Sequence, residues 1–133
     1  MKSVFVYGTL MFSEIAERVL GFTTVEIAEL KDYRRYKIQV GQNELPYPAI
    51  KKEQGAVTKG KLFRNLTDTQ IHQFDEYEGV DYHRETVAIE TTEGGVIAEV
   101  YVWNNPPGTI LSGNWDPEKF EKADLQKFLD SEF

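Results

Sequence analysis

The alternation of apolar and polar positions divides the chain into short strands punctuated by glycine and proline, with three helical stretches among them. Ser3 to Tyr7, SVFVY, is an unbroken β-branched and aromatic run, the pattern of a strand buried on both faces. Gly8, Thr9 and Leu10 form a loop into a predicted helix from about Ser13 to Leu20, closed by Gly21. Thr23 to Val40 reads as two strands, TTVEIAEL and YRRYKIQV, with Lys31 and Asp32 between them. Gly41 to Pro48 is loop by composition, and Ala49 and Ile50 form a short extended piece. Ala56 to Arg64 is a further strand, where Gly60 marks either a bulge or a close backbone approach.

Arg84 to Thr91 and Val96 to Trp103 alternate well and meet across Glu93, Gly94 and Gly95, a hairpin signal. The breaker cluster Asn104 to Gly108 precedes a last helix, with Asp116 as N-cap, Pro117 as its first residue and an end near Leu129. Phe120, Ala123, Leu125, Phe128 and Leu129 give this helix an apolar side, while Lys119, Lys122 and Lys127 face solvent. About six to eight strands with three helices predict an α+β fold, a small mixed β-barrel flanked by helices, formed by residues 1–133 as one domain.

The stretch from Asn65 to Arg84, NLTDTQIHQFDEYEGVDYHR, carries the most chemistry. Thr67 and Gln70 form a capping box, and Ile71, Phe74 and Glu78 recur at helical spacing, so Glu78 shares the apolar side. Gly79 stops the helix, which places Glu78 in the last turn beside unpaired carbonyls. Burial and the negative helix end both disfavour a charged carboxyl and raise its pKa, the requirement for a group that takes and returns a proton. The plainer alternative is a Glu78 that frays outward into water. Likewise, the strand, glycine turn and helix around Gly8 make either an anion or carbonyl site from unpaired N–H groups, or only a tight turn.

Composition narrows the function. The 133 residues carry 41% hydrophobic and 13% aromatic side chains, enough for a core. A net charge of -7 argues against nucleic-acid and membrane-surface partners. The basic cluster Arg34, Arg35 and Lys37 reads as a solvated strand edge. Without cysteine there is no disulfide and no thiol chemistry, and no apolar run is long enough for a signal peptide or a membrane span, so a cytoplasmic protein is expected. The sequon-like Asn65-Leu66-Thr67 is then a chance match.

His72 and His83 have no metal-ligand spacing, and Asp75, Glu76, Glu78 and Asp81 lack the spacing of a calcium loop. No phosphate, dinucleotide or serine-nucleophile motif occurs. An enzyme built from these residues works with a carboxylate, tyrosines and backbone donors, and the expected cofactor and metal are none.

Val4-Phe5-Val6-Tyr7-Gly8-Thr9-Leu10 resembles the N-terminal signature of the gamma-glutamylcyclotransferase-like superfamily. Pro48-Ala49-Ile50, the Val57 to Phe63 strand, Asp75-x-x-Glu78-Gly79 and Tyr82-x-Arg84 match its later blocks in order. Ala98-x-Val100-Tyr101-Val102-Trp103 and Gly113-Asn114-Trp115-Asp116 are similar to the branch of the plant avirulence-induced-gene proteins and their bacterial relatives. The resemblance implies ring closure of a small-molecule γ-glutamyl amine or peptide to 5-oxoproline, with release of the amine and without a cofactor. It implies Glu78 as catalytic acid/base, Tyr7, Gly8, Thr9 and Leu10 as the substrate-holding loop, Tyr82 in support and Arg84 in a mainly structural place. The alternative is a non-catalytic small-molecule-binding or interaction module on the same fold. The leaving amine and the oligomeric state are not written in the residues.

Overall fold

Strand β1, Lys2–Val6, is buried at Val4, Phe5 and Val6 and paired on both edges, as its apolar run predicts. The computed structural model describes residues 2–21 and 24–132. After β1 come a single 3-10 turn, Thr9–Met11, and helix α1, Ser13–Leu20. Strands β2, Glu26–Val40, and β3, Asn43–Leu66, form a long ribbon. Helix α2, Asp68–Glu78, leads to the hairpin of β4, Tyr82–Thr91, and β5, Gly94–Trp103. A short strand β6, Thr109–Asn114, and helices α3, Pro117–Ala123, and α4, Leu125–Glu132, complete the chain.

The strand order β3-β1-β5-β4-β2 returns to β3 through the β2–β3 pairing, so five strands close into a barrel and β6 adds to the outer end of β2. β1 runs parallel to β5 and antiparallel to β3. Closure leaves these strands without a free edge over the paired length. Alternation along β1 then sorts its side chains. Phe5 and Tyr7 join Leu30, Ile50, Leu62 and Val100 in one apolar cluster, while Val4 and Val6 pack with Phe63, Phe74, Phe120 and Phe128 in another, against the helices.

Three predicted features differ. The two strands expected between Thr23 and Val40 are one, β2; Thr23 itself lies outside the described residues. Lys31-Asp32 is a bend within that strand. Asp32 has φ 65, tolerable for aspartate, and its Oδ1 accepts from the Gly55 N–H at 2.9 Å, so β2 and β3 bend together. The loop expected over Gly41 to Pro48 shrinks to a two-residue turn with Gly41 at φ 61, and the rest is strand. Pro46 and Pro48 fit there because this half of β3 pairs only with β2, so a missing N–H on its other edge costs nothing. The last helix breaks at Asp124 into α3 and α4, although its Asp116 cap and Pro117 start stand as expected.

Gly60 is a close approach. A Cβ there would lie 2.2 Å from the Val6 carbonyl oxygen and 2.7 Å from the Phe5 ring. Gly60→Ala is expected to cost about 1–3 kcal/mol through forced displacement of β1 from β3, measured as a fall in the denaturant midpoint at unchanged m-value.

Candidate functional site

Helix α2 opens on the expected capping box: Thr67 Oγ1 accepts from the Gln70 N–H, and Gln70 Oε1 accepts from the Thr67 N–H at 2.9 Å. Ile71 and Phe74 are buried, with Phe74 edge-on to Phe63 at 5.3 Å. Glu78 is the last helical residue, and Gly79 at φ 77 ends the helix. The preceding turn is clamped to the barrel. Asp75 Oδ1 accepts from Arg84 Nε at 2.9 Å and from the Tyr101 hydroxyl at 2.7 Å, and Arg84 Nη1 donates to Glu99 at 2.9 Å. Arg84 is therefore structural in its contacts.

Glu78 lines two connected hollows. The inner one, about 20 Å³, is bounded by Tyr7, Gly8, Thr9 and Leu10 on one side and by Tyr47, Pro48, Tyr82 and Tyr101 on the other. The outer one, about 150 Å³, shares Thr9, Tyr47, Glu78 and Tyr82 and extends to Tyr77, Asp81, Phe128 and Glu132. All six sequence-singled residues meet here. Burial alone raises the Glu78 pKa from 4.5 to about 8. Although the residue keeps some surface at the helix end, no hydrogen bond or ion pair holds its carboxyl among the described residues.

Three of the tyrosines around it are committed elsewhere. The Tyr7 hydroxyl donates to the Tyr101 carbonyl at 2.6 Å, Tyr82 to the Pro48 carbonyl at 2.7 Å, and Tyr77 shares a 2.7 Å bond with Thr9. Burial, then the nearby Glu78 charge, holds the Tyr7 pKa well above 10. Tyr7 is thus a neutral wall whose proton is spent on the core. The glycine loop behaves differently. The Gly8 and Thr9 carbonyls accept from Met11 and Phe12, but the N–H groups of Gly8, Thr9 and Leu10 meet no acceptor among the described residues. Unpaired N–H groups facing a concavity form an anion or oxyanion site. Gly8 is needed for space: a Cβ would lie 2.8 Å from the Pro48 ring.

Two groups were not legible in the sequence. Tyr47 and Pro48 fall in the stretch read as loop, yet β3 carries them to the wall of the site, and the Trp115 indole N–H fixes the adjacent Pro46 carbonyl at 2.9 Å. Arg35, read as solvated, turns inward, where Nη1 donates to the Tyr7 carbonyl at 2.9 Å and its guanidinium lies over the Trp115 ring. Its neighbours stay partly exposed, where Arg34 bonds Asn114 and Lys37 pairs with Glu44, but the stretch is not the expected edge, because β2 pairs with β3 on one side and β6 on the other at Lys37.

The family model described as "Gamma-glutamyl cyclotransferase, AIG2-like" matches residues 4–117. The chain belongs to this family. It is 33% identical over 132 residues to Protein AIG2 C of Arabidopsis thaliana, covering 97% of this chain and 78% of that one. AIG2-like protein D of Arabidopsis thaliana is 32% identical over 133 residues, covering 97% and 85%. A solution structure of an Arabidopsis thaliana protein superposes with a TM-score of 0.70 at 32% identity, over 98% of this chain and 78% of that one. A structure titled "Gamma-glutamyl cyclotransferase" shares the fold, with a TM-score of 0.71 at 17% identity, over 97% and 85%. The family match spans β1, the glycine loop and the end of α2, the elements that meet at Glu78.

The displaced pKa of Glu78 makes stability depend on pH. The folded carboxyl binds a proton up to about pH 8 and the unfolded one only to about 4.5, so stability falls as pH rises through that window. Glu78→Gln removes this ionisation. It is expected to match wild type below pH 4.5 and to exceed it increasingly up to pH 8, by on the order of a few kcal/mol, as read from thermal unfolding across the range.

Proposed function

We propose that this family member is a cyclotransferase that converts a γ-glutamyl amine or peptide to 5-oxoproline with release of the amine. The observation that carries the reading is the Glu78 carboxyl, with a pKa of about 8 and no partner among the described residues, in a hollow also lined by the glycine loop, whose N–H groups meet no acceptor among those residues. In this reading the substrate's neutral α-amine attacks its own γ-carbonyl carbon. As the new N–C bond forms, Glu78 takes a proton from the attacking nitrogen, and the loop N–H groups face the oxyanion. The proton then passes from Glu78 to the departing nitrogen as the original amide bond breaks, leaving 5-oxoproline and a free amine.

No cofactor enters this balance. Holding amine and carbonyl in contact supplies about 7 kcal/mol of the barrier reduction in favourable intramolecular cases, so few groups suffice. The buried tyrosines exclude water that would otherwise compete with the amine. The inner hollow of about 20 Å³ is too small for a glutamyl group, and the substrate's carbon chain extends through the outer hollow or displaces Tyr47.

The test is release of 5-oxoproline from a panel of γ-glutamyl amines and peptides. Glu78→Gln is expected to fold and to lose about 100- to 10,000-fold in kcat/KM. Because Glu78 must be ionised to accept a proton, wild-type kcat/KM rises with pH along a limb centred near 8. Background turnover across the panel, together with ligand binding that is unchanged in Glu78→Gln, would instead identify a non-catalytic binding module.

A further inference from the structure

The hydrogen-bond partners of the loop between β1 and α1 determine which way it faces. The Tyr7 carbonyl accepts from Arg35 Nη1 at 2.9 Å, and the Met11 carbonyl accepts from Lys61 Nζ at 2.8 Å. Both cations come from the β2–β3 ribbon and line a groove that neither Gly8 nor Glu78 borders. The peptide between Tyr7 and Gly8 is trans, so its N–H points opposite its carbonyl. Held by Arg35, the carbonyl points toward that groove and the Gly8 N–H away from it, and Gly8 lines the hollow that Glu78 shares.

Arg35 is itself fixed from several directions. The same Nη1 reaches the Lys59 carbonyl at 3.1 Å, and the guanidinium carbon stands 5.5 Å from the Trp115 ring. Strand pairing of Arg35 with Ile50 sets its backbone. Neither hollow beside Glu78 is lined by a lysine or arginine among the described residues. An anion there meets no cationic side chain among the described residues, and the positive charge one peptide away polarises the Gly8 amide.

We propose that Arg35 is a positioning residue for the anion site of the glycine loop, holding the Tyr7–Gly8 peptide so that the Gly8 N–H is presented to a substrate carboxylate or oxyanion opposite Glu78. The class of anion rests on the cyclotransferase reading, whereas the orientation of the peptide does not. Arg35 never touches the substrate. Its other side opens onto a groove of about 470 Å³ beside Phe12, Ile27 and Lys61, through which a small cation can reach the position of its guanidinium.

The test compares wild type, Arg35→Lys and Arg35→Ala. In the free protein, the Gly8 amide resonance in ¹H–¹⁵N spectra is expected to shift in Arg35→Ala and to move back on adding guanidinium below denaturing concentrations, but not on adding equal potassium chloride. Affinity for 5-oxoproline is expected to fall about tenfold in Arg35→Ala, the loss of one charge-assisted bond, with most of it regained in Arg35→Lys or with guanidinium. A merely structural arginine would lower the melting temperature and leave both the affinity of the folded fraction and the guanidinium response unchanged. An unmoved Gly8 amide in folded Arg35→Ala overturns the proposal. Wild-type protein that neither binds 5-oxoproline nor releases it refutes the cyclotransferase reading instead, and the Gly8 amide still decides the role of Arg35.

Discussion

The site depends on keeping an unpaired carboxyl in a place that disfavours its charge, and the clamp on Asp75 is what keeps it there. A short helix end beside glycine would ordinarily relax until Glu78 reached water. The paired bonds from Arg84 and Tyr101 to Asp75 tie the preceding turn to β4 and β5, and Phe74 anchors the same turn against Phe63. Charged hydrogen bonds in a partly buried network resist loss because removing one partner strands the others. Three residues further on, the helix ends with its carboxyl turned toward the barrel mouth.

The surroundings of that carboxyl follow a division of labour among hydroxyl groups. Tyr7, Tyr77, Tyr82 and Tyr101 all stand near Glu78, and each hydroxyl is engaged by the Tyr101 carbonyl, Thr9, the Pro48 carbonyl or Asp75. The rings therefore supply apolar wall, and the bonds stitch β1, β3, β4, β5 and α2 to one another. A single hydroxyl redirected to Glu78 would stabilise the anion and lower its pKa. Leaving the carboxyl without such a donor is as much a part of the arrangement as the burial. The glycine loop has the complementary property: the Tyr7, Gly8 and Thr9 carbonyls are satisfied, while the N–H groups of Gly8, Thr9 and Leu10 meet no acceptor among the described residues.

Much of this was readable from residues whose local preferences agree with their tertiary setting. The capping box at Thr67, the stop at Gly79, the buried run of β1 and the β4–β5 hairpin depend on neighbours close in sequence, and each stands where its pattern puts it. The misread segments are those in which distant pairing overrides local signals. Pro46 and Pro48 look like loop until an edge that lacks a partner is supplied for them. Asp32 looks like a turn until Gly55 appears across the ribbon. Thr109–Asn114 follows a breaker cluster and becomes a strand only because the end of β2 offers it an open edge. Arg35 carries no local mark at all, since its inward turn is dictated by the Tyr7 carbonyl 28 residues away in sequence.

The parallel pairing of β1 with β5 joins Val4 to Glu99 and Phe5 to Val100 across most of the chain. Contacts of such long sequence separation carry a loop-closure cost and slow folding. Tyr7 arrives on β1, Pro48 on β3 and Glu78 through a helix fastened to β4 and β5, and these reach one another only when the ring shuts. Closure of the ring and assembly of the hollow are thus a single event. A partly folded chain holds every residue of the site and none of its geometry.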